Sequence, residues 1–177
     1  DAVDWVMAGE DRQAFCAVRP PGHHAEYDNA MGFCLFNNIA VAARYAIKHY
    51  ELSRVAIIDF DVHHGNGTEN IIAGDKQILM CSSFQHPFYP HSGHPVSASN
   101  ILSAPLKAGA TGAEFRESVA YWFDALRNFM PQLILISAGF DAHAEDAMGQ
   151  LRLREDDYHW VSKQIRTVAD EVCHGRI

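Results

Sequence analysis

The chain has 177 residues, 48% hydrophobic and 20% charged, with a net charge of −8 at neutral pH. That length and balance suit one soluble domain, spanning 1–177, with a core of its own. The acidic surplus argues against direct nucleic-acid binding, which needs a basic surface, and is compatible with a cationic substrate. No apolar run is long enough to cross a bilayer, and no basic leader precedes an apolar segment.

Taken in chain order, Cys16-Ala-Val-Arg-Pro-Pro-Gly-His23-His24 predicts a short strand, stopped by Pro20-Pro21-Gly22, that delivers paired histidines. Asn37 to Tyr50 places Ile39, Val41, Ala42, Tyr45, Ala46 and His49 at helical spacing. The run from Arg54 to Asp61 is apolar, rich in β-branched residues and ends in carboxylates, as a buried parallel strand would. A short helix is expected over Asn66 to Ile72, a strand over Ile78 to Ser82, and a Pro- and His-rich loop over Phe84 to Asn100. In that loop His86, His91 and His94 read as exposed rim residues.

Asn100 to Leu106 predicts another short strand. Thr111-Gly-Ala-Glu114 matches a capping box opening a helix that Pro131 ends. Gln132 to Asp141 repeats the design of the Arg54 run: an apolar stretch, a small-residue turn, a carboxylate. A loop over Ala142 to Arg154, with Asp146 as a bracing carboxylate, leads to a last helix, Glu155 to His174, striped by Val161, Ile165, Val168 and Val172. Strand and helix alternate, which predicts a three-layer α/β/α fold with a mostly parallel sheet.

Carboxylates at the carboxyl end of such strands point into the crevice where open α/β sheets bind ligands, and burying them without a cation is costly. Asp59, Asp61 and His63 offer two hard oxygens and a borderline nitrogen, a set that suits Zn²⁺ and also Fe²⁺ or Mn²⁺. Alternation puts the three on one side of an extended chain, where they share one metal or split between two. Asp141 is a plausible remote ligand, and ligands from separate strand ends leave coordination positions open, as catalytic sites do. His23 and His24 near a Lewis acid suit proton transfer: a neutral imidazole as base, its neighbour orienting water or carrying charge. A lone His-His pair is weak, since several of the 11 histidines, such as His49, His159 and His174, fall on amphipathic helical patterns. Three strand ends that each finish in ligand-type residues are far more specific.

Arg19-Pro-Pro-Gly-His-His-Ala25, Gly32-Phe-Cys34, Asp59-x-Asp-x-His-His-Gly-Asn-Gly67 and Ser137-Ala-Gly-Phe-Asp-Ala-His143 occur in order and cover most of the chain. By these motifs the chain resembles the zinc-dependent histone deacetylase superfamily, closest to its class II and bacterial forms, with the arginase/deacetylase fold. The resemblance implies Asp61, His63 and Asp141 as zinc ligands and His23 and His24 as the catalytic pair. Asp59 would hydrogen-bond the first histidine, and Asn66, where some relatives have Asp, would support His24 with lower basicity. It implies a potassium ion held by carbonyls around Asp59, Asp61 and His63 together with Ser82, and a substrate tunnel walled by Gly32, Phe33 and Tyr89. The implied reaction is hydrolysis of an N-acetylated amine, acetyl-lysine or acetylpolyamine, to acetate and free amine.

The family's oxyanion-stabilising Tyr, in a Gly-Gly-Tyr type loop, has no match in these residues, and Asp1-Ala-Val-Asp-Trp-Val, with neither Met nor leader, is expected to be no natural start. The resulting expectation is an incomplete domain whose exposed strand edges favour a homo-oligomer. Cys16, Cys34, Cys81 and Cys173 show no close pairing, so reduced packing thiols in a cytoplasmic protein are expected. Two other readings stay open: an acetyl-lysine-binding or assembly module without catalysis, and a binuclear manganese ureohydrolase of the same fold, which would need a richer acid set.

Overall fold

A computed structural model describes residues 1–177. Its centre is a four-stranded, wholly parallel sheet in the order β3-β2-β1-β4, formed by β1 (Val55–Asp59), β2 (Ile78–Gln85), β3 (Ile101–Leu106) and β4 (Leu133–Ser137). β1 lies between β2 and β4, with Asp59 opposite Ser82 on one side and Ser137 on the other. Every residue of β1 is buried, which is why its sequence is continuously apolar instead of alternating.

Successive side chains of β1 go to opposite faces. Val55 and Ile57 join Met80, Ile78 and Leu133 under α1 (Ala2–Ala8), α2 (Asn38–His49) and α3 (Asn66–Ile72), through Val6, Ala40, Ala43, Ala46 and Ile72. Ala56 and Ile58 join Cys81 and Ile134 under α4 (Gly112–Phe129) and α5 (Glu155–Val172), through Trp122, Leu126, Val161, Ile165 and Val168. Three layers result, as the alternation of elements predicts. The capping box forms at the start of α4, where the Glu114 carboxylate accepts from both the backbone N–H and the hydroxyl of Thr111. At α2 the Asn37 side chain accepts from Ala40 N–H, the usual task of an N-cap amide.

The structure adds one element to the sequence expectations and corrects two of them. α1 goes unrecognised in the sequence, although Asp1 at its N-cap and Gly9 in a left-handed C-cap are ordinary boundary signals. β1 ends at Asp59, and Asp61 and His63 follow on bends, so they are not positions of one extended strand. The predicted strand at Cys16 does not form: residues 11–20 are exposed and have no strand partner. Next to β4, the Arg176 carbonyl accepts from Ile134 N–H, while Ile177 exchanges backbone hydrogen bonds with Arg12 and Ala14. Residues 176 and 177 therefore occupy the space between β4 and residues 12–14, and Phe15 to Arg19 have no neighbouring strand on which a ladder could build. Cys34, Cys81 and Cys173 are buried free thiols, and Cys16 is exposed. No helix is long and apolar enough to cross a membrane.

Candidate metal centre

The carboxyl ends of β1 and β4 meet at one point. Asp61 and His63, on the bends after β1, and Asp141, after β4, offer ligand atoms that all lie within 4.8 Å of one another. The His63 Nδ1 edge faces both acids, at 3.0 Å from Asp61 Oδ1 and 3.1 Å from Asp141 Oδ2. Backbone groups fix the carboxylates: His63 N–H donates to Asp61 Oδ1 at 2.8 Å and Val62 N–H to Asp141 Oδ1 at 3.0 Å. Burial works against charge here, yet the hydrogen bonds from His63 and the charge of His23 hold the Asp61 carboxyl below its usual range. Burial likewise opposes a proton on His63, but its bonds to Asp141 and Asp61 win and raise it to about 9. A cation ligated there competes with that proton.

Asp59 does not join this group. It is fully buried, accepts at Oδ2 from His23 Nδ1 at 2.9 Å, and takes Asp61 N–H at Oδ1 at 3.1 Å. Burial raises the Asp59 pKa, and the neighbouring His23 offsets part of that rise. On His23 burial opposes protonation, and the Asp59 charge overcomes it and lifts the imidazole to about 9. Opposite Asp59 in the sheet, the Ser82 hydroxyl is buried without a hydrogen-bond partner.

His24 lies 4.0 Å from His23 between ring centroids and has a different support: Nδ1 meets Asn66 Oδ1 at 2.8 Å. Burial first, and then the positive charge of His23, push the His24 imidazole down to about 4. A carboxylate holds one ring and an amide the other: the Asp59 charge outweighs burial at His23, while at His24 burial and the His23 charge outweigh the lift from Asn66. With no strand behind them, the pair is fixed from α3 and α2. Thr68 N–H donates to the His23 carbonyl at 3.1 Å, and Asn37 Nδ2 donates to the Ala25 carbonyl at 3.0 Å. Gly67 permits this approach, since a Cβ there would overlap the Ala25 carbonyl.

Around the opening, Gly32 has φ +53° and lies so close to the His24 ring that any side chain would collide with it. Tyr89 stands edge-on to His24 at 5.2 Å and to His63 at 6.1 Å. Phe33 is 82% exposed, at the mouth and not in a closed wall, and it is Phe88 that stacks on His63, at 5.3 Å and 19°. Phe88 sits beside Tyr89 with no signal in the sequence to distinguish it. A bracket on the rim loop is equally unmarked in the sequence: His64 is held by Ser92 Oγ at Nδ1 and by Glu69 Oε2 at Nε2, both at 2.9 Å. His91 and His94 are exposed, His86 half-buried.

Comparison with known proteins decides what this arrangement belongs to. The model of the histone deacetylase domain matches residues 1–177. The chain belongs to the histone deacetylase family. It is 41% identical over 199 residues to type-2 histone deacetylase 2 of Dictyostelium discoideum, covering 99% of this chain and 12% of that protein. It is 36% identical to the histone deacetylase-like amidohydrolase of Pseudomonas aeruginosa, covering 99% and 48%. Among solved structures, the HDA15 HD domain superposes with a TM-score of 0.90 at 32% identity, and acetylpolyamine aminohydrolase from Burkholderia pseudomallei with 0.87 at 32%. This chain covers 99% and 94% of itself in those superpositions and 51% of each solved chain. The deacetylase domain described here thus spans about half of the solved relatives.

The donor set of this histone deacetylase domain fits a zinc-type cation. Two carboxylates and an imidazole converge with their ligand edges inward, and three protein ligands leave a position for water or substrate. The unpartnered Ser82 hydroxyl beside the buried Asp59 is also a natural place for a monovalent cation, since a buried oxygen without a partner is otherwise costly.

Proposed function

We propose that this chain carries the metal-binding and proton-transfer half of a zinc-dependent deacetylase, which hydrolyses the amide of N-acetylated amines to acetate and free amine. The observation that carries the reading is the convergence of Asp61, His63 and Asp141 beside two histidines whose partners differ, Asp59 for His23 and Asn66 for His24. Zinc, when bound by those three residues, supplies a Lewis acid that polarises a carbonyl and acidifies water. His24, with Nδ1 engaged by an amide and Nε2 free, accepts the proton from water and passes it to the departing amine. His23, with a carboxylate on Nδ1, holds its proton and offers positive charge to the developing oxyanion.

Tyr89 and Phe88, with Gly32 and Phe33 at the mouth, form the wall past which an apolar stem with a neutral acetamide enters, and a free ammonium is disfavoured among them. A potassium ion beside Asp59 and Ser82 satisfies the buried hydroxyl. A binuclear manganese site is less well supported, because Asp59, the acid a second metal requires, is turned to His23. β3, the edge strand at the other end of the sheet, and the part of β4 beyond the Ile134–Arg176 hydrogen bond favour pairing with a second copy in a cytoplasmic homo-oligomer, and light scattering giving a clean monomer contradicts that.

The reading is tested by acetate release from an acetyl-lysine peptide and from an acetylpolyamine, with His24→Ala alongside. Activity should fall by about 10²–10⁴-fold in the variant and disappear with chelator. Release that survives chelation, or that His24→Ala leaves unchanged, contradicts it.

A further inference from the structure

Asn66 stands where an acid would hold His24 more firmly, and its side chain can present either oxygen or nitrogen to the ring. Which it presents decides where the His24 proton sits: an amide oxygen requires Nδ1–H and leaves Nε2 with a lone pair, while an amide nitrogen requires the reverse. Asn66 cannot make that choice alone. Its Nδ2 faces two acceptors on the loop after the histidines, Glu26 Oε1 at 2.6 Å and Met31 Sδ at 3.3 Å. Turning the amide over would set its oxygen against the Glu26 carboxylate and its NH₂ against the ring.

The loop is itself held along one side of α3. Tyr27 N–H donates to Asn70 Oδ1 at 3.0 Å, one helical turn beyond Asn66, and Glu26 N–H donates to the Asn29 carbonyl at 2.9 Å. Glu26 is thus presented to Asn66 by a loop with its own anchors. His24 and Asn66 are buried, and Glu26 is half-buried, so the carboxylate keeps contact with water while its far oxygen enters the site.

We infer that Glu26 is a positioning residue, locking the Asn66 amide so that His24 is held as the Nδ1–H tautomer with Nε2 free toward the metal centre. The negative charge that Asn66 lacks is thereby supplied at one remove, and it polarises the amide oxygen that accepts the hydrogen bond from His24 Nδ1–H. The consequence for proton transfer rests on the reading of His24 as the base; the tautomer itself does not.

The test is nitrogen NMR of the ring in the purified, ¹⁵N-histidine-labelled chain, with the His24 signals identified by their loss in His24→Gln. The unaltered chain should show a pyrrole-type Nδ1 and a pyridine-type Nε2. Glu26→Gln keeps an acceptor for Nδ2 and should keep that pattern, whereas Glu26→Leu removes it and should move both signals toward the average of the two tautomers. Asn66→Asp sets two carboxylates together and should destabilise the loop, with Glu26→Gln restoring it in the double variant. A pattern in Glu26→Leu identical to the starting chain, an Nε2–H tautomer at the outset, or no rescue of Asn66→Asp overturns the inference. Because no substrate is present, a correct tautomer with absent hydrolysis would count against the deacetylase reading and leave the role of Glu26 standing.

Discussion

β1 and the segment from Arg12 to Arg19 both lead into the same site, one carrying Asp59, Asp61 and His63 and the other His23 and His24. β1 is wholly buried with a strand on either side, and the other segment is wholly exposed, its backbone tied to another part of the chain at Arg12 and Ala14. Yet the residues they deliver meet, with His23 Nδ1 2.9 Å from Asp59 Oδ2. The difference teaches that the ligands are positioned by the sheet, whereas the histidines are positioned after the chain has turned at Pro20-Pro21-Gly22, by Thr68, Asn37 and Asn66.

That division can be broken from either side. Ile57→Ala removes a fully buried side chain from the centre of β1 and should cost about 2–5 kcal/mol in urea unfolding. A cost near zero means that β1 is not the element that sets the ligands. Gly67→Ala inserts a methyl against the Ala25 carbonyl and should cost about 1–3 kcal/mol. It sharpens the comparison further: hydrolysis should fall because His24 is displaced, while zinc content stays, and joint loss of both means that the two supports are not separable. Smallest of all, Phe15→Ser with Val18→Ser, in the exposed segment, should change stability by no more than about 0.5 kcal/mol. A larger loss in the same urea assay shows that this stretch packs after all.

Much of this was legible in the sequence wherever the deciding interactions are local or the strand is central. β1, β2, β4 and the two long helices announce themselves through burial on both faces or through helical stripes, and the ligands follow from the carboxylates at the ends of β1 and β4. The strand expected at Cys16 does not form because apolar residues make a strand only when a neighbour pairs with them, and that neighbour is not encoded in the segment itself. The alternation that groups Asp59 with Asp61 and His63 stops where the ladder stops, at Asp59. Glu26, Phe88 and the hold of Ser92 on His64 are invisible in the sequence because each acts through a contact with a segment far along the chain, which no spacing rule reports; Glu69 is only five residues from His64, a spacing that marks no motif.

The central claim, that Asp61, His63 and Asp141 form one metal site in this chain, is tested most directly by zinc content from elemental analysis, with Asp141→Ala measured in parallel. The account predicts about one zinc per chain, and none retained by the variant after dialysis. A chain that takes up no zinc, or a variant that holds as much as the original, contradicts it.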